Sequence, residues 1–535
     1  MKSVMSHNFA TVPKSEIQRS TFNRSHGAKT TFDAGWLVPV YNDEVLPGDT
    51  FSLNMSAFAR LATPIHPVMD NMYLDSFFFF VPLRLVWDNF QKFMGERRNP
   101  SDSTDFLIPQ IVSPVGGYAS QTIYDYMGIP TLVPGLSHSA LYLRAYNLIY
   151  NEWFRDQNLQ NSVASNYGDG PDAQTDYVLL RRGKRHDYFS SCLPFPQKGP
   201  AVTIPLGTTA PVLGIAGITG GTAGATAAIG FGTSPTDPWP VGSPHLLSSS
   251  ATVNGFTIKT QSTGAIGSGN RPQIFADLTN ATAATINQVR QAFQVQRLYE
   301  RDARGGTRYT EIIRSHFNTI SPDSRLQRPE YLGGGSTPVN IHPVPQNSAT
   351  GVTPQGNLAA FGTVSATGHG FTKSFTEHGI ILGLVSVRAD LTYQDGLNRA
   401  WSRRTRLDFY WPALAHLGEQ AVLNKEIYAQ GSANPTADAG VFGYQEVFAE
   451  YRYKPSQITG KFRSNTVGGS LDSWILTQDF ASLPALNASF IVEDPPIDRV
   501  IAVPAEPHFI FDSYFNLKCA RPMPVYGVPG LIDHF

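Results

Sequence analysis

The chain has 535 residues, 41% hydrophobic and 16% charged, with 47 Gly, 39 Pro and a formal net charge of -1. That length supplies a large core, and sparse charge with abundant Gly and Pro predicts short strands joined by many loops rather than a helical bundle. The near-neutral balance suits a protein that buries much of its surface against copies of itself better than a freely diffusing one.

Two cysteines, Cys192 and Cys519, lie far apart and in no C-x-x-C arrangement, so neither a disulfide scaffold nor a thiolate metal site is expected and both read as reduced, small hydrophobes. Met1 to Ser25 holds no continuous apolar stretch of the signal-peptide kind. Nor does any run reach the roughly 18 apolar residues of a membrane span, which predicts a soluble product made inside the cell.

Residues 1–31 carry Lys2, Lys14, Arg19, Arg24 and Lys29 against Glu16 and cannot form a core of their own. The segment reads either as a disordered tail or as an arm ordered by a partner or nucleic acid. Phe51, Leu53 and Met55 then alternate as in a half-buried strand. Phe77 to Val81 reads as a buried strand that stops at Pro82, with Asp75 and Arg84 bounding it. Four consecutive phenylalanines belong between two covered surfaces, since at a free edge they would promote aggregation. Trp87, Phe90 and Phe93 or Met94 then recur at helical spacing. A longer helix is predicted over Leu136 to Phe154, with Leu141, Ala145, Leu148 or Ile149 and Trp153 on its apolar stripe and Arg144, Asn151 and Glu152 facing outward.

Arg181, Arg182, Lys184, Arg185 and His186 form the densest basic run, readable as a solvated or subunit-facing loop or as a phosphate contact. Charged residues nearly vanish over 201–273, where Gly, Ala, Thr and Ser dominate, so this stretch reads as a protruding insertion; Val253 to Lys259 supplies a possible hairpin strand. Thr285 with Gln288 signals a helix start, Ile286, Val289 and Phe293 share one face, and Gly305-Gly306 signals the stop. His378 to Ala389 has the composition of a central strand, whereas Pro329 to Pro345 does not. Arg399, Arg403, Arg404 and Arg406 interleave with Trp401, Phe409, Tyr410 and Trp411, a mixture that suits a protein interface or, as the lesser reading, nucleic acid. Asp498 to Val503 reads as strand-like, and Phe509, Phe511, Phe515 and Leu517 alternate. The tail stays apolar to Leu531, Ile532, Asp533, His534 and Phe535, and is expected to be tied down against protein as an assembly element.

No H-E-x-x-H, G-x-S-x-G or glycine-rich phosphate loop is present. In Gly368 to Ser374, GHGFTKS, two residues separate Gly370 from Lys373, so backbone N–H groups and the ammonium would not converge on one phosphate. The thirteen histidines are scattered. No catalytic residue, metal or cofactor is assigned.

Four segments carry a family resemblance: Phe77 to Trp87 (FFFFVPLRLVW), Phe442 to Glu446 with Ala449 to Pro455, Phe511 to Phe515, and Val528 to Phe535. They resemble the major capsid proteins of gokushovirus-type microviruses, small bacteriophages with circular single-stranded DNA. The resemblance implies a mainly β fold, an eight-stranded antiparallel viral jelly roll with long loop insertions and a few helices. It further implies a T=1 icosahedral shell of sixty copies around the genome, formed by residues 32–200 and 274–535, with 1–31 as an internal arm and 201–273 as a surface projection. The implied partners are packaged single-stranded DNA, a small basic DNA-associated protein, a pilot or minor capsid protein, a scaffolding protein during assembly in the host cytoplasm, and a bacterial surface receptor. The rival classes are a secreted sandwich-fold lectin or hydrolase.

Overall fold

The computed structural model describes residues 18–200, 202, 286–306, 308–318 and 327–526, together with short paired segments between 212 and 276. The chain divides into two units, one of Met1–Pro196 with Gly305–Phe535 and the other of Gln197–Arg304.

In the first unit the main strands are β1 (Ser20–Asn23), β2 (His26–Phe32), β3 (Val38–Val45), β4 (Thr50–Leu61), β5 (Met72–Pro82), β6 (Glu330–Pro338), β7 (Asn340–Pro345), β8 (Leu358–Ser374), β9 (Gly379–Ala389) and β10 (Phe509–Arg521). A six-stranded sheet runs β1-β10-β4-β8-β7, with β2 also on β10, and a four-stranded sheet runs β6-β5-β9-β3. Every pairing in both is antiparallel. Neither sheet closes into a barrel and helices interrupt the strands, so the architecture is mixed, with several antiparallel sheets and helical insertions, rather than a bare set of eight strands.

The sequence dictates which faces are covered. Burial alternates strictly along β4 and over most of β10, so Phe51, Leu53, Met55, Phe509, Phe511, Phe515 and Leu517 point inward while the intervening side chains stay outside. These rings meet Phe78, Phe80, Ile381, Val385 and Val387 of the four-stranded sheet in one shared core. The other face of that sheet is also covered: Phe79, Val81, Leu382 and Leu384 pack with helix α1 (Leu141–Ile149) and with Trp87, Phe90, Ile111 and Ile123. Two covered faces explain why β9 is buried at all positions but Arg388. Each fully buried large apolar side chain contributes about 1.5–3 kcal/mol.

Several expectations change. The predicted long helix is α-helical only over Leu141–Ile149 and continues as one π-type turn over Tyr150–Phe154. Arg144 and Asn151 face inward, not outward, because partners wait there: Arg144 makes a bidentate pair with Asp172 at 2.7 and 2.6 Å, and Asn151 donates to the Val163 carbonyl. Trp153 sits on the looser turn and is 40% exposed. Pro329 to Pro345 does form strands, because its glycines serve close approach: a Cβ on Gly334 would lie 2.0 Å from the Ser76 carbonyl oxygen. Pro343 and Pro345 are tolerated because β7 ends the sheet. Asp498 to Val503 is not a strand but begins in a 3-10 turn, Ile497–Arg499, after Pro495-Pro496, and only Ile501 makes a β-bridge, to Pro64. Trp87 and Phe90 are buried as expected, although the helix there is one turn, Phe90–Phe93, and Met94 is exposed.

In the second unit, Val212–Leu213 pairs with Phe275–Ala276, and Ser248–Ser249 pairs with Phe256–Thr257. Helix α2 (Ile286–Gly305) stops at the predicted glycines, Gly306 taking φ +97°. Its predicted apolar face is not buried, since Ile286 and Phe293 are exposed. Thr285, most of 201–273 and the tail Leu531 to Phe535 lie outside the described residues. Among the described residues no helix is long and apolar enough to cross a membrane, and no group of three or more His, Cys, Asp or Glu is placed to hold a metal ion.

Candidate functional site

The basic run at 181–185 is an edge-locked segment, not a free loop. Its backbone is stitched on both sides: Leu37 N–H donates to Leu180 O (2.9 Å), Arg182 N–H to Gly35 O (2.9 Å), Lys184 N–H to Ile491 O (2.7 Å) and Glu493 N–H to Arg182 O (2.8 Å). Gly35 allows this approach, with φ +83° and room for no Cβ, which would fall 2.2 Å from Glu493 O.

An extended backbone sends alternate side chains to opposite sides. Arg181 pairs with Asp494 at 2.5 Å and stacks 4.5 Å over Trp36. On the other side Arg182 binds Asp75 at 2.6 Å, and Arg388 from β9 reaches the same carboxylate oxygen at 2.9 Å. Asp75 is therefore a buried counter-ion tying 182 to β9, more than a charge bounding the phenylalanine run. Lys184 differs from its neighbours: it is 8% exposed, its ammonium lies 4.2 Å over the Phe490 ring, and it makes no side-chain hydrogen bond among the described residues. Burial lowers its affinity for a proton, and Glu493, Asp187 and Asp494 offset only part of that. Arg185 is exposed.

The second arginine group divides in two. Arg399 pairs with the buried Glu426 at 2.8 Å and Arg403 with Glu450 at 3.3 Å, while Arg403 also stacks 4.5 Å over Tyr451. Burial pushes the Glu426 carboxyl up, against the pull of Arg399. Arg404 and Arg406 are exposed, and their side chains make no hydrogen bond among the described residues. Trp401 is nearly bare, and Phe409, Tyr410, Trp411 and Tyr451 are also exposed. Two arginines thus build the local fold, and the rest present cation and ring to the outside.

Sequence reasoning missed the residues that the fold brings beside Arg182 and Lys184. Phe77, Phe79, Trp153, Tyr331, Arg155 and Arg308 all line one open cleft of about 480 Å³ with them. Only Phe77, Phe79 and Trp153 had signalled anything, as core. Tyr331 lay in a stretch whose glycines hid a strand.

Over residues 10–531 the chain matches the family described as capsid protein (F protein). It is 51% identical over 540 residues to capsid protein VP1 of Bdellovibrio phage phiMH2K, covering 99% of this chain and 98% of that one. It is 45% identical over 600 residues to capsid protein VP1 of Chlamydia phage 1, covering 99% and 98%. With capsid protein VP1 of Spiroplasma virus 4 it shares 37% over 562 residues, covering 98% and 97%. The chain belongs to the phage capsid protein (F protein) family. It is accordingly a structural protein of a virion and not an enzyme.

Proposed function

We propose that the chain is the repeating subunit of a closed T=1 icosahedral shell that encloses a circular single-stranded DNA genome. The observation that carries this reading is the match over residues 10–531, together with relatives named as capsid proteins along almost their whole length. A jelly roll is supported by strand allocation: β2, β10, β4 and β8 lie in one sheet and β3, β9, β5 and β6 in the other. The connections β2–β3, β3–β4, β4–β5, β6–β7, β8–β9 and β9–β10 therefore cross between the two sheets, while β1–β2, β5–β6 and β7–β8 stay within one. Closure by symmetry gives sixty copies, each burying well over about 2,000 Å² against its neighbours.

In this reading Arg404, Arg406 and Trp401 lie at a subunit contact or the inner wall, and the 181–185 segment faces the genome. Of the expected 1–31 arm, only 1–19 serve as an internal arm, because Ser20–Asn23 and His26–Phe32 are strands paired with β10. Residues 201–273 project and meet the host surface, and Leu531 to Phe535 anchor the subunit. A small basic protein, a pilot protein and a scaffold join it during assembly in the host cytoplasm. Electron microscopy and mass measurement of the purified product test the shell, with closed particles of about sixty subunits expected. A stable monomer in native buffer with scaffold and partner proteins supplied would end the reading.

A further inference from the structure

The cleft beside Lys184 holds two kinds of surface that seldom meet by accident. One is a set of aromatic rings: Trp153 and Tyr331 are 40% and 43% exposed, their centroids 6.2 Å apart, and Phe79 braces both at 5.5 Å. The other is cationic. A second depression of about 560 Å³ shares Phe77, Arg182, Lys184, His186 and Tyr331 with the first. Together the two are lined by Arg155, Arg182, Lys184, Arg185, Arg308 and Arg388, against Asp75 and Asp156. Arg328 adds a cation at the rim, 5.1 Å over Trp153.

Most of these cations are already committed. Arg182 and Arg388 share Asp75, and Arg308 binds Glu152 at 3.2 Å and Glu311 at 3.0 Å. Lys184 is the exception: its side chain is more than nine-tenths buried and, among the described residues, makes no hydrogen bond, with Glu493, Asp187 and Asp494 offsetting only part of the burial. Arg155 Nε is buried with no partner among them. An ammonium on a side chain so largely withdrawn from water, with no hydrogen-bond acceptor among the described residues, gains from an anion that joins it. Of the possible anions, a neighbouring carboxylate would satisfy Lys184 but leave the exposed ring faces unused. A nucleotide uses both.

We propose that this cleft binds one unstacked nucleotide of single-stranded DNA, its phosphate on Lys184 and its base against Tyr331 and Trp153. The proposal rests on the genome-enclosing shell of the preceding section and names the contact within it. A paired duplex could not enter, because the base must leave its stack to reach Tyr331, so the cleft selects single strands without selecting sequence. The rings tolerate any base, as a shell around a whole genome requires.

The test is ultraviolet crosslinking of intact, genome-filled particles followed by peptide mass spectrometry. Nucleotide adducts are expected on peptides bearing Trp153 or Tyr331; they persist in Tyr331→Phe and fall about tenfold at that site in Tyr331→Leu. In parallel, full-length protein is titrated with a fluorescent oligothymidylate at several salt concentrations. Lys184→Met is expected to flatten the log–log salt slope by about 0.7, one single-strand phosphate contact, and Tyr331→Leu to weaken binding about tenfold at an unchanged slope. DNA-filled particles whose adducts all lie elsewhere, or whose cleft peptides crosslink only to a second copy of the chain, would overturn the nucleotide site and leave the shell intact. Particles that form but never contain DNA would overturn both readings.

Discussion

The two sheets solve the same packing problem with opposite amounts of cover. The six-stranded sheet buries one face, so β4 reads as a strict alternation in which Ser52, Asn54, Ser56 and Arg60 stay in solvent beside Phe58. In the four-stranded sheet the central strands β5 and β9 are covered on both faces, inward by the shared core and outward by α1 and its loops, so β9 and much of β5 read as continuous apolar runs. The contrast separates two sources of sequence constraint. A half-covered strand tolerates change at every second residue, whereas a doubly covered one tolerates it almost nowhere.

The sharpest way to break this comparison is Phe79→Ala. Phe79 is 1% exposed and faces the helix-covered side, where Phe154, Trp153 and Tyr331 surround its ring. A loss of about 3–5 kcal/mol is expected in denaturant unfolding of the subunit. A change below about 1 kcal/mol would mean that the outer layer is not a true core.

A polar version of the same test is Arg144→Ala. Arg144 and Asp172 are both almost fully buried, so removing the guanidinium strands a carboxylate in the outer layer, at about 3–5 kcal/mol. Burial alone would raise the Asp172 pKa, but the hydrogen bonds from Arg144 and Tyr177 outweigh it and hold the carboxyl below its ordinary value. A depressed folded-state pKa gives stability that is complete above the ordinary carboxylate value near 3.8. That stability is lost as pH falls toward the folded value. The wild type should therefore lose stability through that acid window more steeply than Arg144→Ala, as a pH series of urea midpoints would read.

Lys184 runs the other way. Its side chain is largely buried and makes no hydrogen bond among the described residues, so Lys184→Met should stabilise the subunit by about 1 kcal/mol. Because the folded-state pKa is lowered, the wild type should recover that difference as pH climbs from the folded value toward the ordinary lysine value of 10.5. Thermal melts at pH 7 and pH 10 check both points, and a destabilised variant would assign Lys184 a structural role.

How much of this was legible follows from the same geometry. Alternation at Phe51, Leu53 and Met55 and the closed run at Phe77 to Phe80 are local patterns, and both became strands with the expected faces. Arg144 and Asn151 were misplaced because Asp172 and Val163, which draw them inward, lie in a loop that carries no periodicity of its own. The π-type turn at Tyr150–Phe154 also shifts the phase of the stripe, leaving Trp153 half in solvent. Strands β6 and β7 were hidden because glycine there encodes close approach, a property of the neighbouring strand. The cleft was least legible of all: Arg182, Arg308 and Tyr331 meet only through pairings that join distant parts of the chain. The basic run at 181–185 announced charge, and nothing local announced the rings opposite.

The smallest expected effect is the most discriminating. Phe58 sits on the bare face of β4, 46% exposed, opposite Asp512 on β10 and Ser365 on β8, with exposed Ile510 and Tyr514 along the neighbouring strand. In an isolated subunit Phe58→Ser removes little buried area and should shift unfolding by no more than about 0.5 kcal/mol. Leu53→Ala, on the inward face of the same strand, should cost about 2–5 kcal/mol. If Phe58→Ser also leaves particle yield unchanged, the face stays in solvent after assembly. If yield falls while subunit stability holds, the row Phe58, Ile510 and Tyr514 is covered by another chain in the particle. The sheet would then be half-bare only until the shell forms. A large loss of subunit stability would refute the half-covered description itself, because Phe58 would have to contribute to the core as Leu53 does.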